Sequence, residues 1–150
     1  MALRRSTAIK MASVVLAVGV ASTGLSAAKD WWVSVYGTPS CSWPMRIHGT
    51  ATGAQPGLVR CYLRAIAEHN TAELRSIAEN IPPAHIIGSD FKYSKDARSG
   101  VTTVTFTPNP NDSTFVYLTI RFADGTVDNG ADIINMTAMG GNSVWRMAIG

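Results

Sequence analysis

Acidic residues are missing from the first 28 positions of this 150-residue chain, and cysteine occurs only twice in all of it. The first absence sets the leader apart. Arg4, Arg5 and Lys10 precede "MASVVLAVGVASTGLSAA", 18 residues without a charge. A basic stretch followed by an apolar one is the layout of an export leader. It also explains the basic balance of the whole. Three of the 13 Lys and Arg, and none of the 10 Asp and Glu, lie in the leader, so residues 29–150 carry ten of each sign. A nucleic-acid partner needs a basic face making dense phosphate contacts. The pairs Arg60/Arg64 and Lys92/Lys95 are diluted by nearby acids. No nucleic-acid partner is expected.

Other absences bear on chemistry. No serine sits in a nucleophile-elbow pattern, and no Gly-rich loop follows a strand. His48, His69 and His85 are scattered, and the set Cys41, His48, Cys61 and His69 matches no compact zinc spacing. His69, at a helix end, reads as a cap or end charge. Asp124, Asp128 and Asp132 recur every four residues. On a strand that step covers roughly 13 Å, whereas calcium ligands lie about 2.4 Å from the ion. Asp124 is better read as part of a turn, and Asp128 and Asp132 as a solvated face. No catalytic set, cofactor or metal is expected.

The two cysteines are informative because they are few. In an exported chain an even count reads as a disulfide, here Cys41–Cys61. Closing a loop of about 20 residues stabilises by roughly 3 kcal/mol in the chain-entropy model. The alternative is two buried free thiols.

The leader ends at "SAAKDWW". Ser26-Ala27-Ala28 before Lys29 suits a signal-peptidase cut, and Gly19, Ser22, Thr23 and Gly24 dilute the apolar stretch. Equally, 18 uncharged residues (11–28) are just enough to span a bilayer, with Trp31 and Trp32 at the outer interface. Both readings stay open. In both, the chain after Ala28 is extracytoplasmic, either secreted or tethered. Residues 29–56 are rich in Gly, Pro, Ser and Thr and read as a connector, with a short extended piece at Met45–His48. Residues 57–150 read as one domain.

Within that domain, "LVRCYLRAIAEH" (58–69) carries apolar residues at helical spacing, with Arg60, Arg64 and Glu68 opposite. "NTAELRSIAENIPP" begins with a capping-box pattern, Asn70 and Glu73. Its helix is expected to run to Ile81 and stop at Pro82-Pro83. "IIGSDFKYS" (86–94) alternates, with Ile87, Phe91 and Tyr93 on one face and Asp90 and Lys92 on the other, so a strand is expected. "VTTVTFT", "TFVYLTIRF", "TVDNGADIINM" and "VWRMAI" supply further strands. Asp124-Gly125 is a two-residue hairpin signal. That turn pairs Ala123 with Thr126 and Phe122 with Val127. It sets Arg121 against Asp128 on the solvent face, and Tyr117 against Asp132. Asn129 then falls on the core side. Either it lines a pocket with Tyr62 and Trp145, or a bulge at Asn129-Gly130 turns it to solvent.

Two helices reading "LVRCYLRAIAEHNTAELRSIAE", broken at His69-Asn70-Thr71, precede a meander ending "VWRMAIG" with Trp145, Met147 and Ile149. This pattern resembles the nuclear transport factor 2-like superfamily, also called cystatin-like or ketosteroid isomerase-like, over about Gly57 to Gly150. The leader and "CSWP…RCYLRA" also look like small exported proteins of high-GC Gram-positive bacteria. The resemblance implies an α+β fold, with two N-terminal helices packed on a curved, cone-like antiparallel sheet of about five strands. Its members include isomerases, binding modules and membrane-anchored parts of secretion and conjugation channels. The isomerases carry a pocket carboxylate facing a Tyr or a protonated acid. With Asp90 and Asp128 on the solvent face, that arrangement has no counterpart in this reading. The expectation is therefore a non-enzymatic extracytoplasmic module, binding an envelope protein or a second copy of itself. A small-ligand or isomerase-like pocket protein is the alternative.

Overall fold

The computed structural model describes residues 37–79, 88, 90–137 and 141–149. The leader, Trp31 and Trp32, the expected helix stop at Pro82-Pro83, His85 and Ile87 lie outside them. Among the described residues the strands are β1 (Met45–Gly49), β2 (Thr102–Asn109), β3 (Asp112–Arg121), β4 (Val127–Asp128), β5 (Ala131–Thr137) and β6 (Ser143–Ile149). The helices are α1 (Gln55–Ala67), α2 (Thr71–Ile77) and the single turn α3 (Ser94–Ala97). None of them is long and apolar enough to cross a membrane.

The fold is α+β, as expected, but its sheet is larger and mixed. Six strands form one sheet in the order β1-β2-β3-β5-β6, with β4 also paired to β3. β1 runs parallel to β2, and the remaining pairs are antiparallel. The parallel strand comes from the expected connector. Its direction follows from chain order, since β1 reaches β2 only after α1, α2 and α3 have crossed one face of the sheet.

Residues 37–56 of the expected connector are built into the domain. The backbone N–H of Cys41 bonds to the carbonyl of Gly57, and Cys41 is disulfide-bonded to Cys61 on α1. Gly57 permits this approach, because a Cβ there would collide with the side chain of Ser40. Further upstream, the Thr38 hydroxyl accepts the Trp145 N–H at 2.8 Å, and the Gly37 carbonyl accepts from Arg146 Nη1 at 2.9 Å.

α1 begins one turn earlier than its apolar pattern suggests, with Pro56 in the first turn, where a missing N–H costs nothing. Leu58, Val59, Tyr62, Leu63 and Ile66 have no exposed surface. They meet Val104, Phe106, Leu118, Ile120 and Ile133 from alternate positions of the sheet in one core. α1 ends where His69 takes a left-handed φ of 52°, and Asn70 then caps α2. The Asn70 side chain accepts the Glu73 N–H at 3.0 Å, and Glu73 reaches back to the Asn70 side chain and across to Arg64. The N-cap half of the expected capping box is present, whereas the Asn70 backbone N–H bonds to the Ala65 carbonyl instead of to Glu73; α2 stops at Ile77 rather than Ile81. Ala78 turns extended and bridges Met147, and the Glu79 N–H bonds to the Met147 carbonyl. An open backbone edge on β6 outcompetes another turn of helix.

The expected strand at residues 86–94 is not formed over its described part, 88 and 90–94. Asp90 and Phe91 are helical, Lys92 and Tyr93 turn, and α3 follows. This segment packs between α1 and the β3–β4 hairpin. The Ser94 hydroxyl and Arg98 Nη1 both donate to the Ala67 carbonyl at the end of α1. Tyr93 stacks on Phe122 with ring centres 5.5 Å apart, and Phe91 stacks on His69 at 4.8 Å.

Candidate functional site

The site begins with a one-residue slip in a hairpin. The turn after β3 holds three residues, Ala123-Asp124-Gly125, not two. The Phe122 N–H bonds to the Thr126 carbonyl at 2.9 Å, and the Gly125 N–H returns to the Phe122 carbonyl. Gly125 has a φ of 93°, as the last position of a three-residue loop requires. β4 is thereby shifted by one. Asp128 faces Ile120, and Val127 faces Arg121. Side chains alternate along a strand, so this slip exchanges the faces. Asp128 points into the core at 5 % exposure instead of to solvent.

A bulge at Asn129-Gly130 then restores the register. Beyond it Tyr117 pairs with Asp132, and Val116 with Ile133, as the sequence suggests. The extra residue leaves Asn129 exposed, so Asn129 does not line a pocket. Asp128 Oδ1 accepts the Gly130 N–H at 2.8 Å, and Asp132 Oδ1 accepts the Leu118 N–H at 2.9 Å. Asp132 thus supplies an acceptor beside the bulge and is half-buried, not solvated. Burial raises its pKa, against the Leu118 hydrogen bond.

Tyr62 rises from α1 to meet this hairpin. Its hydroxyl oxygen lies 3.3 Å from Asp128 Oδ2 and 3.3 Å from Asp90 Oδ1. The expected assignment of Asp90 and Asp128 to the solvent face is therefore corrected for both. Asp128 moved with the register, and Asp90 moved because its segment is helical. Trp145 packs against the core from β6, with its backbone N–H on Thr38. Among the described residues, the hydrogen bonds of Tyr62 go to the two aspartates only.

One phenolic proton cannot be donated to two carboxylates at once. Both contacts are satisfied together only when one carboxyl is protonated and donates to the Tyr62 oxygen. Asp90 suits that role. Burial, opposed by the Tyr62 hydrogen bond and Lys92 and reinforced by Asp128, raises its pKa to about 6. Its other oxygen, Oδ2, is buried without a hydrogen-bond partner among the described residues. Burial, then the charges of Asp90 and Asp128, push the Tyr62 hydroxyl well above its ordinary pKa. Tyr62 therefore remains a donor at all physiological pH. A buried, perturbed carboxyl joined to a buried phenol is typical of sites that handle protons.

The cysteines offer a metal nothing while bridged. Among the described residues, Cys41, Cys61 and Glu73 bring three metal-type donor atoms within 4.8 Å of one another. The two sulfurs, however, are bonded to each other. The same bridge rules out the Cys/His set weighed from the sequence. Nor do Asp124, Asp128 and Asp132 converge. Asp124 Oδ1 accepts the Thr126 N–H at 3.0 Å, while the other two serve Tyr62 and Leu118.

The hydroxyl–carboxyl group was not legible from spacing. Its three members come from a helix, a helical turn and a two-residue strand; the sequence suggests a strand for the second and a register one residue off for the third. No protein-family model, curated protein or solved structure matches the chain.

Proposed function

We propose that the chain is an extracytoplasmic small-ligand domain whose working group is Tyr62 with Asp90 and Asp128. One observation carries the reading: a fully buried hydroxyl set between two carboxyls, one of which has a pKa of about 6. A carboxyl near that value takes and returns a proton at neutral pH. A phenol held protonated donates to oxygen on which negative charge develops. The pair has the parts for isomerase-like proton transfer beside a carbonyl, with Asp90 as base and Tyr62 as donor. Asp128, fixed by the Gly130 N–H, orients Tyr62. The resemblance to the nuclear transport factor 2-like superfamily points the same way. Export of the domain rests on the leader and is compatible with the Cys41–Cys61 bridge.

The experiment is a titration of the full chain with small cyclic enones and phenols, followed by NMR at the Tyr62 ring and the Asp90 carboxyl carbon. The reading expects a saturable shift at both, abolished in Tyr62→Phe with the fold intact. If no probe moves either signal, the domain is better described by the second reading.

That second reading is the non-enzymatic envelope module, attached to an envelope protein or to another copy of the chain. The observation favouring it is the rigid attachment of the connector through Cys41–Cys61, Thr38–Trp145 and Gly37–Arg146. Such pinning suits a domain held at a set distance from a membrane.

A further inference from the structure

The segment from Asp90 to Ala97 meets the β3–β4 hairpin at two places where a pair of aspartates, one from each piece of chain, shares one hydrogen-bond partner. At one end, Asp90 and Asp128 converge on the Tyr62 hydroxyl, each at 3.3 Å. At the other end, Asp96 and Asp124 converge on Thr126. The Thr126 hydroxyl donates to Asp96 Oδ1 at 3.2 Å, and the Thr126 N–H donates to Asp124 Oδ1 at 3.0 Å. We propose that this segment is a proton-controlled cover over Tyr62, closed when one carboxyl of each pair is protonated and loosened when all four are ionised.

The force on this segment is electrostatic and does not depend on what the site binds. Two carboxyls that share a proton attract, and the same two ionised repel. Here both pairs span the same two pieces of chain, so their effects add in one direction. Other contacts of the segment are indifferent to pH or weak. Tyr93 stacks on Phe122, and Ser94 and Arg98 donate to the Ala67 carbonyl. Lys92, the one cation that acts on Asp90, sits with its Nζ 4.8 Å over the Tyr93 ring. His69 faces Phe91, not a carboxyl. Asp128 in turn acts on Asp132 in β5. Among the described residues, Lys92 is thus the cation that favours the ionised form of Asp90, and burial outweighs it.

The pKa directions agree with the geometry. Burial raises Asp90 to about 6. The hydrogen bond shared with Asp124 raises Asp96, while the Thr126 N–H holds Asp124 low. Each pair thus has one carboxyl that keeps its proton longer. The cover also bears on the proposed function. Tyr62 has no exposed surface and Asp90 Oδ2 is buried, so a ligand reaches them only if chain around them moves, and this segment carries Asp90 itself. Regulation of binding by the cover rests on that reading; the cover itself does not.

Amide hydrogen exchange on the full chain tests the cover directly. The Ala97 N–H, bonded to the Tyr93 carbonyl at 2.9 Å, and the Tyr93 N–H, bonded to the Asp90 carbonyl at 3.1 Å, report closure. After correction for intrinsic exchange, their protection should fall on the order of tenfold between about pH 4.5 and 7.5, while amides of α1 hold theirs. Asp90→Asn with Asp96→Asn, which leaves each pair with a single ionisable carboxyl and so imitates the closed state, should keep the protection at both pH values. Asp90→Asn alone serves if the double variant does not fold, and should remove most of the fall. Equal protection in the wild type at both pH values overturns the proposal, and so does a fall that persists in these variants. Ligand binding is not read, so a silent ligand panel leaves this test unaffected.

Discussion

Asp90 shows how much one residue's setting decides. In the sequence it sits in an alternating stretch beside Lys92 and reads as solvent-facing. In the fold it is half-buried against a phenol and a second carboxyl, which holds its proton to about pH 6. The sign of its effect on stability follows from linkage. The folded chain keeps a proton that the unfolded chain, with an ordinary aspartate near 3.8, has already released. Stability from this group is full below about pH 4 and is lost as pH rises to about 6. Asp90→Asn should therefore leave stability unchanged at about pH 4 and raise it at pH 7.5 by about 1 kcal/mol, after allowance for partial solvent screening. Urea denaturation at the two pH values measures this. Tyr62→Phe should act oppositely. It leaves Asp128 Oδ2 buried without a donor and should cost about 1–3 kcal/mol at neutral pH.

At the scale of elements, the local rules held where one residue sufficed and failed where a count was needed. Asn70 caps α2 and its side chain pairs with Glu73, because the motif is contained in four neighbouring residues. Asn70→Ala should cost about 1 kcal/mol in thermal or denaturant unfolding. The hairpin was harder to read. "ADGT" accommodates a two-residue or a three-residue loop, and the choice turns on whether Gly125 takes a positive φ as the last loop residue. That single difference moved Asp128 from surface to core. The bulge then hid the slip, since Asp132 and Ile133 fall on their expected partners under either turn. Gly125→Ala should test this. A side chain resists the φ of 93°, although nothing crowds the position. A loss of about 1 kcal/mol is expected, with chemical-shift changes concentrated at Val127 and Asp128.

Across the whole molecule, the fold class and the disulfide could be read early and the sheet could not. Helical spacing in residues 58–69 and alternation in residues 102–107 and 115–121 survive because each element buries one continuous face. From the sequence β1 is only an isolated extended piece, since a parallel partner nearly sixty residues away leaves no local trace. What joins the connector to the domain is partly covalent. Reduction of Cys41–Cys61, or Cys41→Ser with Cys61→Ser, should cost roughly 3 kcal/mol and should loosen the contacts of Thr38 with Trp145 and of Gly37 with Arg146. Calorimetry with and without a reductant gives the first quantity, and amide exchange at Trp145 the second.

The account turns on the proton shared among Asp90, Tyr62 and Asp128. A pH titration of the side-chain carboxyl carbon of Asp90, followed by NMR on the full chain, measures it most directly. The account predicts a midpoint of about 6, falling toward the ordinary aspartate value when the chain is unfolded in urea. A midpoint near 4 in the folded chain would mean that Asp90 gives up its proton as any surface aspartate does, and would contradict the site.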